Sequence, residues 1–366
     1  MNLIACFPGK YIQGSNAILQ LESIFKKFGS KAVVLTSPTA KKFLPASYYH
    51  PPLSSQISVE VFGGECSEAE LEVFSKRIKL LKAEIVVGMG GGKVIDTAKI
   101  AADRAGLPVI IVPTIASTDA PCSGCAVTYS EDGIFERVHY QRLNPTVVIV
   151  DEEIIAKAPV RFLVAGMGDA LATWFEARSC KKTSSENECG GLSTLAGQNI
   201  ARLCYEILIE HGLRAKLDHE NGIISDSLKN IIEANILLSG IGFESGGLAS
   251  GHAIHNGLTI LPETHTFYHG EKVAFGVLTG LHLNHAPEDE INTVYRFCTS
   301  VGLPVTLSQI GMTEITKKKL MVVAQKSVEP GSSIHHEREG IDAQLVYEAL
   351  IKADQYGRQY RSRFIL

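Results

Sequence analysis

The sequence predicts an α/β protein in two parts: a doubly wound parallel sheet over residues 1–159 and an all-helical region over residues 160–366. Three observations predict it. Short Val- and Ile-rich runs alternate with helical periodicity through the first 150 residues, the pattern of a parallel sheet with crossover helices. The β signal then ends near Pro159, and helical periodicity takes over. Finally, 366 residues is more than one domain of ~150 residues accounts for.

The strands read from 31–37 (KAVVLTS), 57–62 (ISVEVF), 84–88 (EIVVG), 108–113 (PVIIVP) and 146–151 (TVVIVD). Such nearly continuous apolar runs suit strands covered on both faces. Ser67 followed by Glu70 reads as a capping box that opens a helix over 68–82. A second helix is expected over 91–104, stopped by Gly106 with Pro108 beyond. Asp132-Gly133 centres an inserted hairpin over 127–140. Helices are then expected over 163–178, 192–217, 227–240, 272–285, 289–301, 313–328 and 345–360. A cleft between the two parts is the default place for a ligand.

Composition narrows the function. Apolar residues at 45% and charged residues at 20% fit a globular protein with a sizeable core. Net charge is 35 − 39 = −4 with no long basic run, which argues against a nucleic-acid partner. The longest charge-free stretch, 245–262, holds two Ser, two His, one Asn and four Gly, too polar for a membrane span. No basic residue precedes Lys10 and no apolar leader follows it, so no signal peptide is expected. Eight scattered Cys suit reduced thiols of a cytoplasmic protein, and the lone CxxC at Cys122 and Cys125 reads as incidental.

Two loops carry ligand chemistry. Residues 84–99 (EIVVGMGGGKVIDTAK) form strand, glycine turn and helix, with exposed N–H groups and a helix start that favour an anion. Neither GxGxxG nor the P-loop pattern is met, since Lys stands at 93, and Val at 87 and 94. Three consecutive glycines plus Lys93 exceed what a plain turn needs, so a phosphate site is expected. Residues 113–123 (PTIASTDAPCS) also follow a strand. Small hydroxyls and one acid there fit a ligand loop or ordinary turn chemistry equally.

The second half concentrates histidine. Six of the 12 His lie between 252 and 285, where even spacing would put about one. His252 and His255 share a face if their stretch is helical. Two imidazoles and a carboxylate make a site for Zn²⁺ or Fe²⁺ with open positions. Asp169, in GDALATWFEA, is a candidate acid, although an Asp before an apolar helical run reads first as an N-cap. Glu244 and Glu271 compete with it.

These motifs resemble the glycerol dehydrogenase branch of the iron-containing (group III) alcohol dehydrogenases. The similarity spans nearly the whole chain: PGKYIQG (8–14), FGGECS (62–67), GGGKxxDTAK (90–99), PTIASTDAPCS (113–123), GDALATWFEA (168–177), IGFESGGLA (241–249), HAIHNGL (252–258) and YHGEKVAFG (268–276). The resemblance implies a sheet domain that binds NAD, a helical metal-binding domain, and cytoplasmic oxidation of glycerol to dihydroxyacetone. It implies that Asp169, His252 and His269 hold Zn²⁺ or Fe²⁺ beside the substrate. Asp119 and His252 are then the catalytic candidates, with Asp119 contacting the diol. Gly91, Gly92, Lys93, Thr114, Ser117, Thr118, Ser123, Cys125 and Tyr129 match cofactor positions. A small polyol substrate, no membrane or nucleic-acid partner, and a homo-oligomer, often an octamer, are also implied. His255 or His269 would relay the proton.

Two departures stand out. The family tends to place an Asp after the strand at 31–35, whereas Thr36 and Ser37 stand here with Lys41 and Lys42 close by, which leaves NADP open. The segment 333–339 (SIHHERE) also differs and reads as a solvated loop. Two other functions remain: a lyase of the dehydroquinate synthase type, disfavoured because 113–123 and 244–262 carry no Arg or Lys, and a catalytically silent nucleotide-binding protein.

Overall fold

The computed structural model describes residues 1–44, 48 and 56–364. It divides into two compact units: a sheet unit of residues 6–159 with 222–224, and a helical unit of residues 1–5, 160–221 and 225–366. The first five residues group with the helices, where Leu3 bridges Leu192.

The sheet unit carries β1 (Tyr11–Gly14), β2 (Lys31–Thr36), β3 (Gln56–Val61), β4 (Ile85–Gly90), β5 (Val109–Pro113), β6 (Cys125–Tyr129), β7 (Phe135–Tyr140) and β8 (Val147–Asp151). Six of them form one parallel sheet in the order β3-β2-β4-β5-β8-β1. Every residue of β4, β5 and β8 is buried, which is why these runs lack polar alternation. Val34, Val87, Met89, Ile110 and Ile149 belong to the core on one side of the sheet. β1 was missed by the strand pattern because four half-buried residues, YIQG, show neither alternation nor an apolar run.

β2 is followed by a connection to the edge and β4 by one to β5, so the strand order reverses between the carboxyl ends of β2 and β4. That is the switch point where doubly wound sheets bind ligands. β6 and β7 form the expected antiparallel hairpin, with Gly133 at φ +78° in its turn.

Ser67 caps the helix Glu68–Leu81 by accepting from Glu70 N at 3.3 Å. The capping box is only half made, because the Glu70 carboxylate reaches Gly63 N at 2.9 Å instead.

The helical unit is built on Val160–Thr183, Leu195–Glu220, Ser239–Gly246, Ser250–Leu258, His269–Leu283 and Ala343–Phe364, with shorter helices between. The helix from Asp226 continues through a wide turn at Ala234–Leu238 into Ser239–Gly246, well past the expected end at 240. The glycines at 240, 242 and 246 hid that continuation, since glycine weakens helix propensity. Among the described residues, no helix is long and apolar enough to cross a membrane.

Candidate metal centre and cofactor turn

The helices of the second unit come unusually close, and glycines let them. A Cβ on Gly168 would overlap the Gly270 carbonyl, and one on Gly270 would overlap the Ala165 carbonyl. Gly276 meets the backbone of Gly251 in the same way. Helices Val160–Thr183, Ser250–Leu258 and His269–Leu283 therefore touch backbone to backbone, and each contributes one side chain to a shared point.

Those side chains are Asp169, His252 and His269, whose ligand atoms all lie within 4.8 Å of one another. Asp169 is 1% exposed and stands well inside its helix, so it caps nothing and the N-cap reading is corrected. Its Oδ1 lies 3.1 Å from His269 Nε2 and 3.5 Å from His252 Nε2. Neither approach has hydrogen-bond geometry, and both carboxylate oxygens are buried without a donor. A buried, donorless carboxylate is costly. One hard oxygen and two imidazole nitrogens around it fit a Zn²⁺ or Fe²⁺ ion with positions left open.

A second layer orients the imidazoles. Glu176, two helical turns beyond Asp169, holds His252 Nδ1 at 2.7 Å and accepts from His252 N and Ala249 N, both at 2.9 Å. That leaves Nε2 of His252 facing Asp169. His255 Nε2 lies 3.0 Å from His269 Nδ1, with Asn256 Oδ1 at 3.1 Å from its other nitrogen. Such outer partners fix tautomer and ring direction.

Charge follows the same pattern. Burial pushes the Asp169 carboxyl up, but His269 and then His252 outweigh it and hold that carboxyl below its ordinary range. Burial pushes His252 down, yet Glu176 and Asp169 raise it well above the ordinary imidazole value. His255 is held well below it by burial and by neighbouring His269. The pocket demands positive charge at the place where Asp169 and His252 meet.

The remaining candidates lie apart. Glu271 pairs in two-pronged fashion with Arg161 at 2.6 and 2.8 Å and closes a capping box at Tyr268. Glu244 is buried in Ser239–Gly246. His265 meets the Thr259 carbonyl, and His282 meets the Tyr295 hydroxyl. Glu176 escaped the sequence reading, although its spacing of seven from Asp169 along one helix was the available signal.

In the sheet unit, Gly91 is the N-cap of the helix Gly92–Ala105, and no side chain caps the first N–H groups. A Cβ on Gly88 would strike Ala98, whereas one on Gly92 would meet open space. Thr114 N donates to Gly90 O at 3.0 Å, so the 113–123 loop starts beside the turn. Lys93 forms an ion pair with Glu65 at 2.5 Å and lies over the Tyr129 ring at 5.6 Å.

Ser117, Thr118 and Asp119 occupy the same loop, with Asp119 O accepting from Cys122 N. Cys125 opens β6, its Sγ 3.6 Å from Ser123 Oγ. Thr36 ends β2, and Ser37 N donates to Met89 O beside the glycine turn.

Lys99 was also missed. It is 2% exposed, and its ammonium donates to Ala120 O at 2.9 Å, to Ser123 Oγ at 3.4 Å and to Cys125 O. It thereby ties the ligand loop to the helix behind the glycine turn. The signal was positional: Ile95, Lys99 and Ala102 stand on one buried helical face.

Known proteins resemble this chain over most of its length. Residues 8–152 match the iron-containing alcohol dehydrogenase family model. A glycerol dehydrogenase of Thermotoga maritima is 49% identical, over 97% of this chain and 98% of its own. One of Escherichia coli is 44% identical, over 98% and 99%. The crystal structure of a probable glycerol dehydrogenase from Sinorhizobium meliloti superposes with a TM-score of 0.93 at 42% identity, covering 98% of this chain and all of that one. The chain belongs to the iron-containing alcohol dehydrogenase family.

Proposed function

We propose that this iron-containing alcohol dehydrogenase interconverts glycerol, or a closely related vicinal diol, and the corresponding hydroxyketone, dihydroxyacetone in the case of glycerol, with NAD as hydride partner. The observation that carries the reading is Asp169, buried with two donorless oxygens and two oriented imidazoles against it. Asp169, His252 and His269 would hold a divalent ion, zinc being our choice over iron. Such an ion supplies Lewis acidity that makes an alcohol proton easier to lose.

The protein's own groups do the rest. Glu176 keeps His252 Nε2 turned toward the site, and His255 does the same for His269. NAD would supply the two-electron acceptor for the carbinol hydrogen, and the hydroxyl proton would leave to solvent, which balances oxidation of the alcohol against reduction of the cofactor. We assign the pyrophosphate to the turn at Gly91, Gly92 and Lys93, with Thr114, Ser117, Thr118, Ser123, Cys125 and Tyr129 along the cofactor. Asp119 would accept a hydrogen bond from the second hydroxyl and so favour diols. With Thr36 and Ser37 at the end of β2, NADP is a permitted second cofactor.

We also place the protein in a reducing cytoplasm, as its eight cysteines, none of them in a disulfide, support. A homo-oligomer, octameric in our reading, is supported by the exposed stripe of Ile209, Leu213 and Leu217. Full-length relatives named as dehydrogenases favour this function over the lyase and the silent binder.

The test is turnover of glycerol and other small polyols with NAD and NADP, before and after chelation and after reloading with zinc or iron. Glycerol oxidation with NAD that chelation abolishes and zinc restores is expected. Full turnover in chelator would reject the metal-centred reading.

A further inference from the structure

Segment 333–339 departs from the family resemblance, and the reaction above gives it no task. It is not a solvated loop as a whole: Glu337 is only 4% exposed. Its Oε1 accepts the Ser250 backbone N–H at 3.0 Å and the Ser250 hydroxyl. Its Oε2 accepts the Ser179 hydroxyl at 2.5 Å and Asn284 Nδ2 at 2.7 Å. Four donors saturate this carboxylate.

Those donors come from three helices. Ser179 lies on Val160–Thr183, which carries Asp169. Ser250 opens Ser250–Leu258, which carries His252. Asn284 is the C-cap of His269–Leu283. One side chain is therefore bonded to each of the three elements that present a ligand.

Its neighbours reinforce the junction. The Ser333 hydroxyl donates to Ala249 O at 2.8 Å, and His336 Nδ1 lies 2.7 Å from Leu248 O, so the turn before the His252 helix is held on both sides. The Thr183 hydroxyl donates to His336 O at 2.8 Å. Glu337 and Glu176, the partner of His252, line the same cavity of about 30 Å³.

Glu337 touches no ligand itself. Ser179 lies ten residues beyond Asp169, about 15 Å along the axis, and Asn284 lies about 22 Å beyond His269. Burying a carboxylate is expensive, and apolar residues could bind three helices at least as firmly. What a fully bonded carboxylate adds is fixed geometry among its partners.

We propose that Glu337 is a positioning residue for the metal centre: it sets the relative placement of the three ligand-bearing helices and so the affinity and ligand field of the site. This rests on the metal reading above. The experiment measures zinc affinity by competition with a chromophoric chelator and the visible spectrum of the Co²⁺-loaded protein, for wild type, Glu337→Gln and Ser250→Ala. Thermal unfolding of the metal-free proteins is measured alongside.

Glutamine keeps the size but aims an NH₂ at groups that are themselves donors. Glu337→Gln is expected to weaken zinc binding about tenfold or more and to shift the Co²⁺ bands. Ser250→Ala, which keeps the carboxylate and removes one donor, should do both to a smaller degree. A wild type that binds no zinc overturns the metal reading and this inference with it. A wild type that binds zinc, with both variants matching its affinity and spectrum, overturns this inference alone, even if their thermal midpoints fall. Should Glu337→Gln fail to fold, Ser250→Ala decides by the same two readouts.

Discussion

In the helical unit, Glu176 and Glu337 are buried carboxylates that each receive several donors, while the equally buried Asp169 receives none. In the sheet unit the buried charge is Lys99, spent on the carbonyls of Ala120 and Cys125 and on Ser123, while the helix start at Gly91 is left uncapped. The same rule, that buried polar groups find partners, is obeyed by most groups among the described residues, and of the breaks in it one in each unit bears on a ligand. The break is an acceptor in one and a row of donors in the other. An acceptor without donors asks for a cation, and donors without an acceptor ask for an anion. The sign of what each unit leaves unsatisfied thus matches the metal and the dinucleotide that we propose for them.

The comparison can be broken by changes that act on one unit only. The largest effect is expected for His252→Ala, which removes a ligand. Turnover should fall by about 10³-fold, several kcal/mol of lost stabilisation, while the dissociation constant of NADH, read by fluorescence, stays near wild type. Equal damage to cofactor binding would show that the units do not divide the work. Glu176→Gln should come next, with zinc affinity down about 10- to 100-fold because one of the two accepting oxygens that hold His252 becomes an NH₂ facing a donor. Unchanged affinity would reduce Glu176 to packing.

On the other side, Gly92→Val places a side chain in the open space before the helix. NADH binding should weaken about tenfold or more, the worth of one or two hydrogen bonds to an anion, with zinc content unchanged. Normal binding by this variant would remove the glycine turn from the cofactor site.

The smallest effect concerns pH. Burial pushes the Asp96 carboxyl up to about 6, with Lys99 opposing in part. A raised carboxyl means the folded state keeps its proton longer than the unfolded chain. Stability should therefore fall as pH rises from about 4 to about 6 and then level off. Asp96→Asn should flatten that limb in urea titrations. An identical slope in the variant would assign it to other groups.

Much of this was legible in the sequence, for identifiable reasons. Strands β2, β4, β5 and β8 announced themselves because both faces are buried, so nothing polar interrupts them. The histidine cluster was visible by density alone, but density could not say that His252, His255 and His269 converge while His265 and His282 bond elsewhere. Asp169 looked like a cap because its helix begins with a run rich in small residues. Those same glycines, Gly166 and Gly168, lie inside the helix, and Gly168 lets Gly270 approach. Glu337 was illegible for a different reason: its three partners lie 158, 87 and 53 residues away, and no local pattern encodes such a junction.

The central claim is a cation at Asp169, His252 and His269, and the most direct measurement is the zinc content of purified wild type and Asp169→Asn after equal loading and desalting. One zinc per chain in the wild type and close to none in Asp169→Asn is expected. Equal zinc in the two proteins, or none in either, would contradict the account.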